Sequence, residues 1–117
     1  LNLEASEVIY KIHKEYINAG ADYITTNTFR TTPRAYLKTG INSRNASHMA
    51  KKSLMLAVDQ AKNAANINTK IIGSLAPLED CYIPELFPGY EIAFNEFSQL
   101  GRWMKDADVD GIILTQF

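Results

Sequence analysis

Cysteine is almost absent from this chain. Cys81 stands alone among 117 residues, so no internal disulfide can form, and a single thiol cannot by itself build a zinc site. Neither sign of charge dominates: 12 Lys and Arg meet 13 Asp and Glu, for a net charge of −1. The basic residues are scattered, and Lys51-Lys52 is a doublet expected on a solvated helix face. Such a chain has no electrostatic footprint for nucleic acid or an anionic membrane. No apolar run approaches the roughly 20 residues of a membrane span. A signal-peptide pattern of charged start, apolar stretch and small-residue cleavage site is also missing, so a reducing cytoplasm is the expected location. No glycine-rich run follows any predicted strand, and no Ser-His-Asp or paired-carboxylate spacing suggests hydrolysis. What is present is 46% apolar and 21% charged residues, the balance of one modest globular domain.

The pattern along the chain alternates helix and strand. From Glu4 to Ala19, Val8, Ile9, Ile12, Tyr16 and Ala19 fall at helical spacing, with Lys11, Lys14, Glu15 and Asn18 on the other face. Gly20 suits the left-handed position that ends a helix without a Cβ penalty. Tyr23 to Thr26 is β-branched or aromatic and predicts a strand. Thr32-Pro33 predicts a capped helical turn that Gly40 ends. Asn45 to Ala64 is the longest helical run, with Met49, Ala50, Leu54, Ala57, Val58 and Ala61 on one side. Lys70 to Leu75 reads as a second strand, and Tyr90 to Met104 as a helix with Ile92, Ala93, Phe97, Leu100 and Met104 on one face. Val109 to Leu114 reads as a third strand. The segment through Pro77, Pro84 and Pro88 is too long for a mere connector.

This αβαβαβ order predicts parallel strands joined by crossover helices. The junction Ala19-Gly20-Ala21-Asp22 before the first strand echoes Asp106-Ala107-Asp108-Val109-Asp110 before the third, an internal repeat. The chain opens on a helix with no strand before it and stops at the mouth of a strand, so a piece of something larger, truncated at both ends, is expected. Three strands cannot close a barrel, and their open edges predict instability or self-association in isolation.

Chemistry in such folds sits at the C-terminal tips of the strands. Here those tips carry Asn27 and Thr28, then Gly73 and Ser74, then Thr115. His13 and His48 lie on predicted helices away from the tips, where surface or helix packing explains them better than acid–base work.

The stretch from Ile12 to Phe29, ending in Thr25-Thr26-Asn27-Thr28-Phe29, resembles the homocysteine S-methyltransferase family. Gly73-Ser74-Leu75-Ala76-Pro77-Leu78-Glu79-Asp80-Cys81-Tyr82 is similar to that family's second signature, and Val109 to Leu114 fits its next strand. The resemblance runs nearly end to end. It implies a (β/α)8 TIM barrel, about three strands of which are present, and a homocysteine-binding domain over residues 1–117. It further implies a zinc held by three cysteines and transfer of a methyl group from a small donor such as betaine, S-methylmethionine or methyltetrahydrofolate to homocysteine, giving methionine. Zinc would keep the substrate sulfur as the nucleophilic thiolate.

On this resemblance Asn27, Thr28, Gly73 and Ser74 lie near the amino-acid part of homocysteine, Phe29 shapes the wall, and Thr115 closes the set of substrate-binding residues. The family's zinc cysteines belong to later strands, and Cys81 matches none of them. Thr115 stands where the family has a glutamate for the substrate ammonium. Glu79 and Asp80, with Tyr82 and Tyr90, are candidates to meet a cationic donor. Two alternatives stay open. Arg30 and Arg34 would suit a barrel enzyme of another class acting on a carboxylated or phosphorylated metabolite, and open sheet edges would suit a non-catalytic product that only associates.

Overall fold

Both helices that run directly into a strand end in the same left-handed turn. The structure, a computed structural model, describes residues 3–28, 31–75 and 89–114. Helix α1 (Ser6–Asn18) ends with Gly20 at φ +101°. The N–H of Gly20 donates to Ile17 C=O and that of Ala21 to Tyr16 C=O, the paired bonds of a Schellman motif. Helix α4 (Tyr90–Asp106) repeats it: Asp108, at φ +62°, donates to Lys105 C=O, and Val109 donates to Met104 C=O. The sequence echo is therefore a repeated helix-to-strand hinge.

Strands β1 (Tyr23–Thr25), β2 (Lys70–Leu75) and β3 (Gly111–Leu114) form one parallel sheet in the order β1-β2-β3. Between β1 and β2 lie the short α2 (Pro33–Leu37), capped by Thr32 Oγ1, and the long α3 (Ser43–Ala64), capped by Asn42 Oδ1. The second strand has the predicted bounds. The others differ from the expected ones by one or two residues, as does the start of α3.

Helix α3 packs against α1 on one side and α4 on the other, over β2. Its buried face is mostly small: Ala46, Ala50, Ala57, Ala61 and Ala64, with Leu54 and Val58 as the larger members. One cluster joins Ala50, Leu54 and Val58 to Leu75, Leu100, Trp103 and Met104. A second joins Ala61 and Ala64 to Ile17, Ile24 and Ile71. Ile24, Ile71 and Leu75 thus close on α3 and its two neighbours, and Lys62 Nζ ties α3 to α4 by donating to Ala107 C=O at the end of α4, where a cation suits the helix dipole.

Two helix faces differ in part from the expected ones, which included the buried Ile9 in α1 and the buried Ala93, Leu100 and Met104 in α4. In α1 the buried row is Ile9, His13 and Ile17, whereas Val8, Ile12 and Tyr16 are exposed. Both rows are apolar enough to satisfy a period of 3.6, and the neighbours decide between them. In α4, Trp103 is buried with Ala93, Leu100 and Met104, and Ile92 is exposed.

Asp108 holds a left-handed conformation that glycine adopts without cost, in an exposed position beside a helix C-terminus. Replacing it, Asp108→Gly, is expected to stabilise the fold by about 0.5–1 kcal/mol, read as a rise in melting temperature, because strain is removed along with an unfavourable charge at the dipole's negative end.

Candidate functional site

The tips of β1 and β2 are stitched by a closed circuit of hydroxyls. Ser74 N–H donates to Thr26 Oγ1 at 3.3 Å, Thr26 and Thr28 share a hydrogen bond between their hydroxyls at 2.8 Å, and Thr28 Oγ1 donates to Ser74 C=O at 2.6 Å. The ends fix the middle. Thr28's single proton goes to the Ser74 carbonyl, so Thr26 must be the donor in the hydroxyl pair. The circuit starts and finishes on Ser74, and Thr26, Thr28 and Ser74 are all buried. Chains of this kind strengthen one another in a low-dielectric setting. A fourth hydroxyl extends it, since Thr31 Oγ1 donates to Thr28 C=O at 3.1 Å.

This circuit continues the β1–β2 pairing beyond the last regular residue of β1, where Thr26 N–H still donates to Ile72 C=O. Asn27, between the two threonines, is exposed, as the alternation of an extended tip requires. The residues singled out at the first two tips are therefore together, but with different duties: Thr28 has its proton committed to the backbone, and Asn27 points its side chain outward. Thr26 was missed by sequence reasoning. Its signal was present in the Thr-x-Thr spacing, which puts two hydroxyls on one side of an extended chain.

Gly73 faces the other way from Ser74. A Cβ built on it would stand 2.5 Å from Met104 Sδ in α4, so its lack of a side chain serves sheet-to-helix packing. Phe29 and Thr115 lie outside the described residues, as do Arg30, Cys81, Glu79, Asp80 and Tyr82. Tyr90 lies exposed at the start of α4.

Arg34 does not present itself to a substrate anion. Its Nε and Nη2 fork onto the two carboxylate oxygens of Glu96 at 3.1 and 2.9 Å, a bidentate pair that ties α2 to α4. His48 is exposed on α3. His13 is buried in the helix layer, yet it lines a groove that runs along β1 to Asn27, closer to the tip than the helix assignment suggested. Its Nε2 has no hydrogen-bond partner, and burial pushes its pKa below the usual value of 6.5.

No three His, Cys, Asp or Glu side chains come together among the described residues. These residues do not provide the donor set that a zinc ion requires. Nor is any described helix long and apolar enough to cross a membrane.

A profile of the homocysteine S-methyltransferase family matches residues 1–115. The chain belongs to the homocysteine S-methyltransferase family. Two plant relatives, homocysteine S-methyltransferase 1 of Brassica oleracea var. italica and of Arabidopsis thaliana, are each 34% identical over 53 residues, 45% of this chain and 16% of theirs. Among solved structures, the homocysteine methyltransferase MmuM from Escherichia coli is similar in its oxidized form, with a TM-score of 0.74 at 20% identity over 95% of this chain and 42% of that one. Its metallated form gives 0.71 at 21% over 97% and 43%. The fold is accordingly three parallel strands in an open sheet, arranged as in part of the MmuM barrel, and the chain spans less than half the length of the relatives it matches.

Two expectations follow. Thr28→Val removes the circuit's last donor and leaves the Ser74 carbonyl buried and unpaired, which should cost about 1–3 kcal/mol in urea unfolding, whereas Thr28→Ser should cost about 1 kcal/mol or less. For His13, the unfolded chain takes up a proton below about pH 6.5 that the folded state resists. Stability should then be highest above about pH 7 and fall as the pH drops toward the lowered folded pKa. His13→Phe should flatten that acid-side decline in thermal melts.

Proposed function

We propose that this chain is the part of a homocysteine S-methyltransferase that receives the amino-acid half of homocysteine, within a longer barrel domain that passes a methyl group from a small donor to the homocysteine thiolate to give methionine. The family match over residues 1–115 carries this reading. The arrangement of the strand tips supports it. A buried hydroxyl circuit holds the first two tips at fixed spacing, and Asn27 stands exposed on that base. Thr28 and Ser74 act as the frame and Asn27 as the contact, and the family resemblance assigns Phe29 and Thr115 to the same substrate-binding set.

In the transfer itself, a bond forms between substrate sulfur and methyl carbon as the bond from methyl to donor breaks, and the electron pair leaves with the donor. Thiolate is the reactive form, and in the full-length enzyme a zinc ion would supply that activation. The described residues hold none of its ligands, so the duties assigned to this chain are binding and orientation. Family membership favours cytoplasmic methionine biosynthesis as the setting.

The reading is tested by producing the longer protein that contains this chain and supplying homocysteine with betaine, S-methylmethionine or methyltetrahydrofolate in turn. Methionine should appear by mass spectrometry with one of the three. Asn27→Ala should raise KM for homocysteine about 10-fold, the worth of one hydrogen bond, with a smaller change in kcat. No methionine with any donor would sink the proposal.

A further inference from the structure

The segment that follows the tip of β1 is fixed from two sides. On the strand side, Thr31 Oγ1 donates to Thr28 C=O at 3.1 Å, and Thr32 Oγ1 accepts the Ala35 N–H at 3.0 Å to start α2. Both threonines are buried, and a β-branched side chain has few rotamers in which to do this. On the helix side, Arg34 of α2 reaches Glu96 of α4 with two parallel bonds, Nε to Oε2 at 3.1 Å and Nη2 to Oε1 at 2.9 Å. Arg34 sits three positions after Thr31, so the fork acts on the same short piece of chain that begins at Asn27.

The fork supplies something the other contacts of α2 do not. A helix of five residues has no stability of its own, and its orientation comes from what it is tied to. Tyr36 packs against the cluster of Leu75, Leu100, Trp103 and Met104, but apolar contact is non-directional and leaves α2 able to slide and turn. A guanidinium forked on a carboxylate fixes both a distance and an angle. The two side chains are 23% and 28% exposed, and a pair open to solvent contributes little to stability, so the value of this one is geometric.

Its anchor is at the correct end of the molecule. Helix α4 joins the end of β2 to the start of the parallel β3, so it runs against the strands and its first half lies toward their tips. Glu96 is the seventh of its 17 residues. The same helix is seated on β2 through Met104 over Gly73, and Ser74 closes back on Thr28 through its carbonyl. The fork thereby completes a ring of contacts through α2, α4, β2 and β1, on which Asn27 is an exposed member.

We infer that Arg34 and Glu96 are a positioning pair for Asn27: the fork holds α2 at one angle to α4 and, through Thr31 and Thr28, fixes where the Asn27 side chain meets homocysteine. Neither residue touches the substrate. The inference rests on the reading of Asn27 as the homocysteine contact.

The test is a double-mutant cycle in the longer protein that contains this chain. Arg34→Met and Glu96→Gln should each raise KM for homocysteine about 3- to 10-fold, at most the effect of losing the Asn27 contact itself, with kcat and the KM for the methyl donor within about 2-fold. In the Asn27→Ala background the same substitutions should change that KM less than about 2-fold, because there is no longer a contact to position. Arg34→Lys keeps the charge without the fork and should behave as Arg34→Met does. Equal changes in both backgrounds, no change with Asn27 intact, or full retention of KM by Arg34→Lys overturns the inference. A second readout needs no turnover: with 15N-labelled asparagine and no substrate, Glu96→Gln should shift the Asn27 side-chain amide signals and lower their order parameter, and unchanged signals overturn the inference. If no donor yields methionine, or Asn27→Ala leaves KM for homocysteine unmoved, the functional reading falls by itself, and the amide signals still decide whether the fork positions Asn27.

Discussion

The close approach of α3 to the sheet is the constraint on which everything else in this fold depends. An alanine-rich face lets the helix settle between α1 and α4 and reach both apolar clusters. Dispersion contacts fall away steeply with distance, so a helix with larger residues at these positions would ride higher and loosen both clusters together. The sheet's parallel order follows from that placement, since α3 is long enough to return the chain to the start of β2 beside β1. So does the alignment of the two strand tips, because β1 and β2 enter the sheet in a register fixed by Ile24 and Ile71 beneath α3.

The tips then convert packing into chemistry. Threonine hydroxyls are soft devices on a surface, but in a buried circuit each has only one satisfactory orientation. The backbone at Ser74 is held at both its N–H and its C=O by the neighbouring strand's side chains. Strand β1 ends as a regular element at Thr25, yet its influence extends three residues further. In this family member the exposed amide of Asn27 gains its fixed position from residues that do not themselves reach outward.

Much of this was legible in the sequence, for identifiable reasons. Gly20, the Thr32-Pro33 cap and the strand at Lys70–Leu75, apolar at its start and small and polar at its tip, were each read from the residues, and each took that form. The repeated junction was visible because Asp108 occupies the place of Gly20, and asparagine or aspartate is the next best residue for a left-handed turn. The choice of Ile9 over Val8, Ile12 and Tyr16 as the buried side of α1 was not legible. Val8-Ile12-Tyr16 and Ile9-His13-Ile17 are adjacent rows of similar apolarity, and His13 read equally as a surface or a helix-packing residue; the structure buries it. The Arg34 fork was hidden likewise, because its partner Glu96 is 62 positions away and no local pattern announces a pair so distant in the chain.

Gly73 shows how one position can carry a signature for a reason remote from the ligand. Its missing side chain is demanded by a thioether on the outer face of the sheet, while Ser74, the next residue, turns toward the opposite face. The two halves of the Gly-Ser pair are thus answerable to different layers of the molecule. Any redesign of the pocket through this strand inherits a silent partner in α4, so that enlarging residue 73 and trimming Met104 become a single change. Drift in a distant helix can in this way decide which residues the mouth of the barrel is permitted to use.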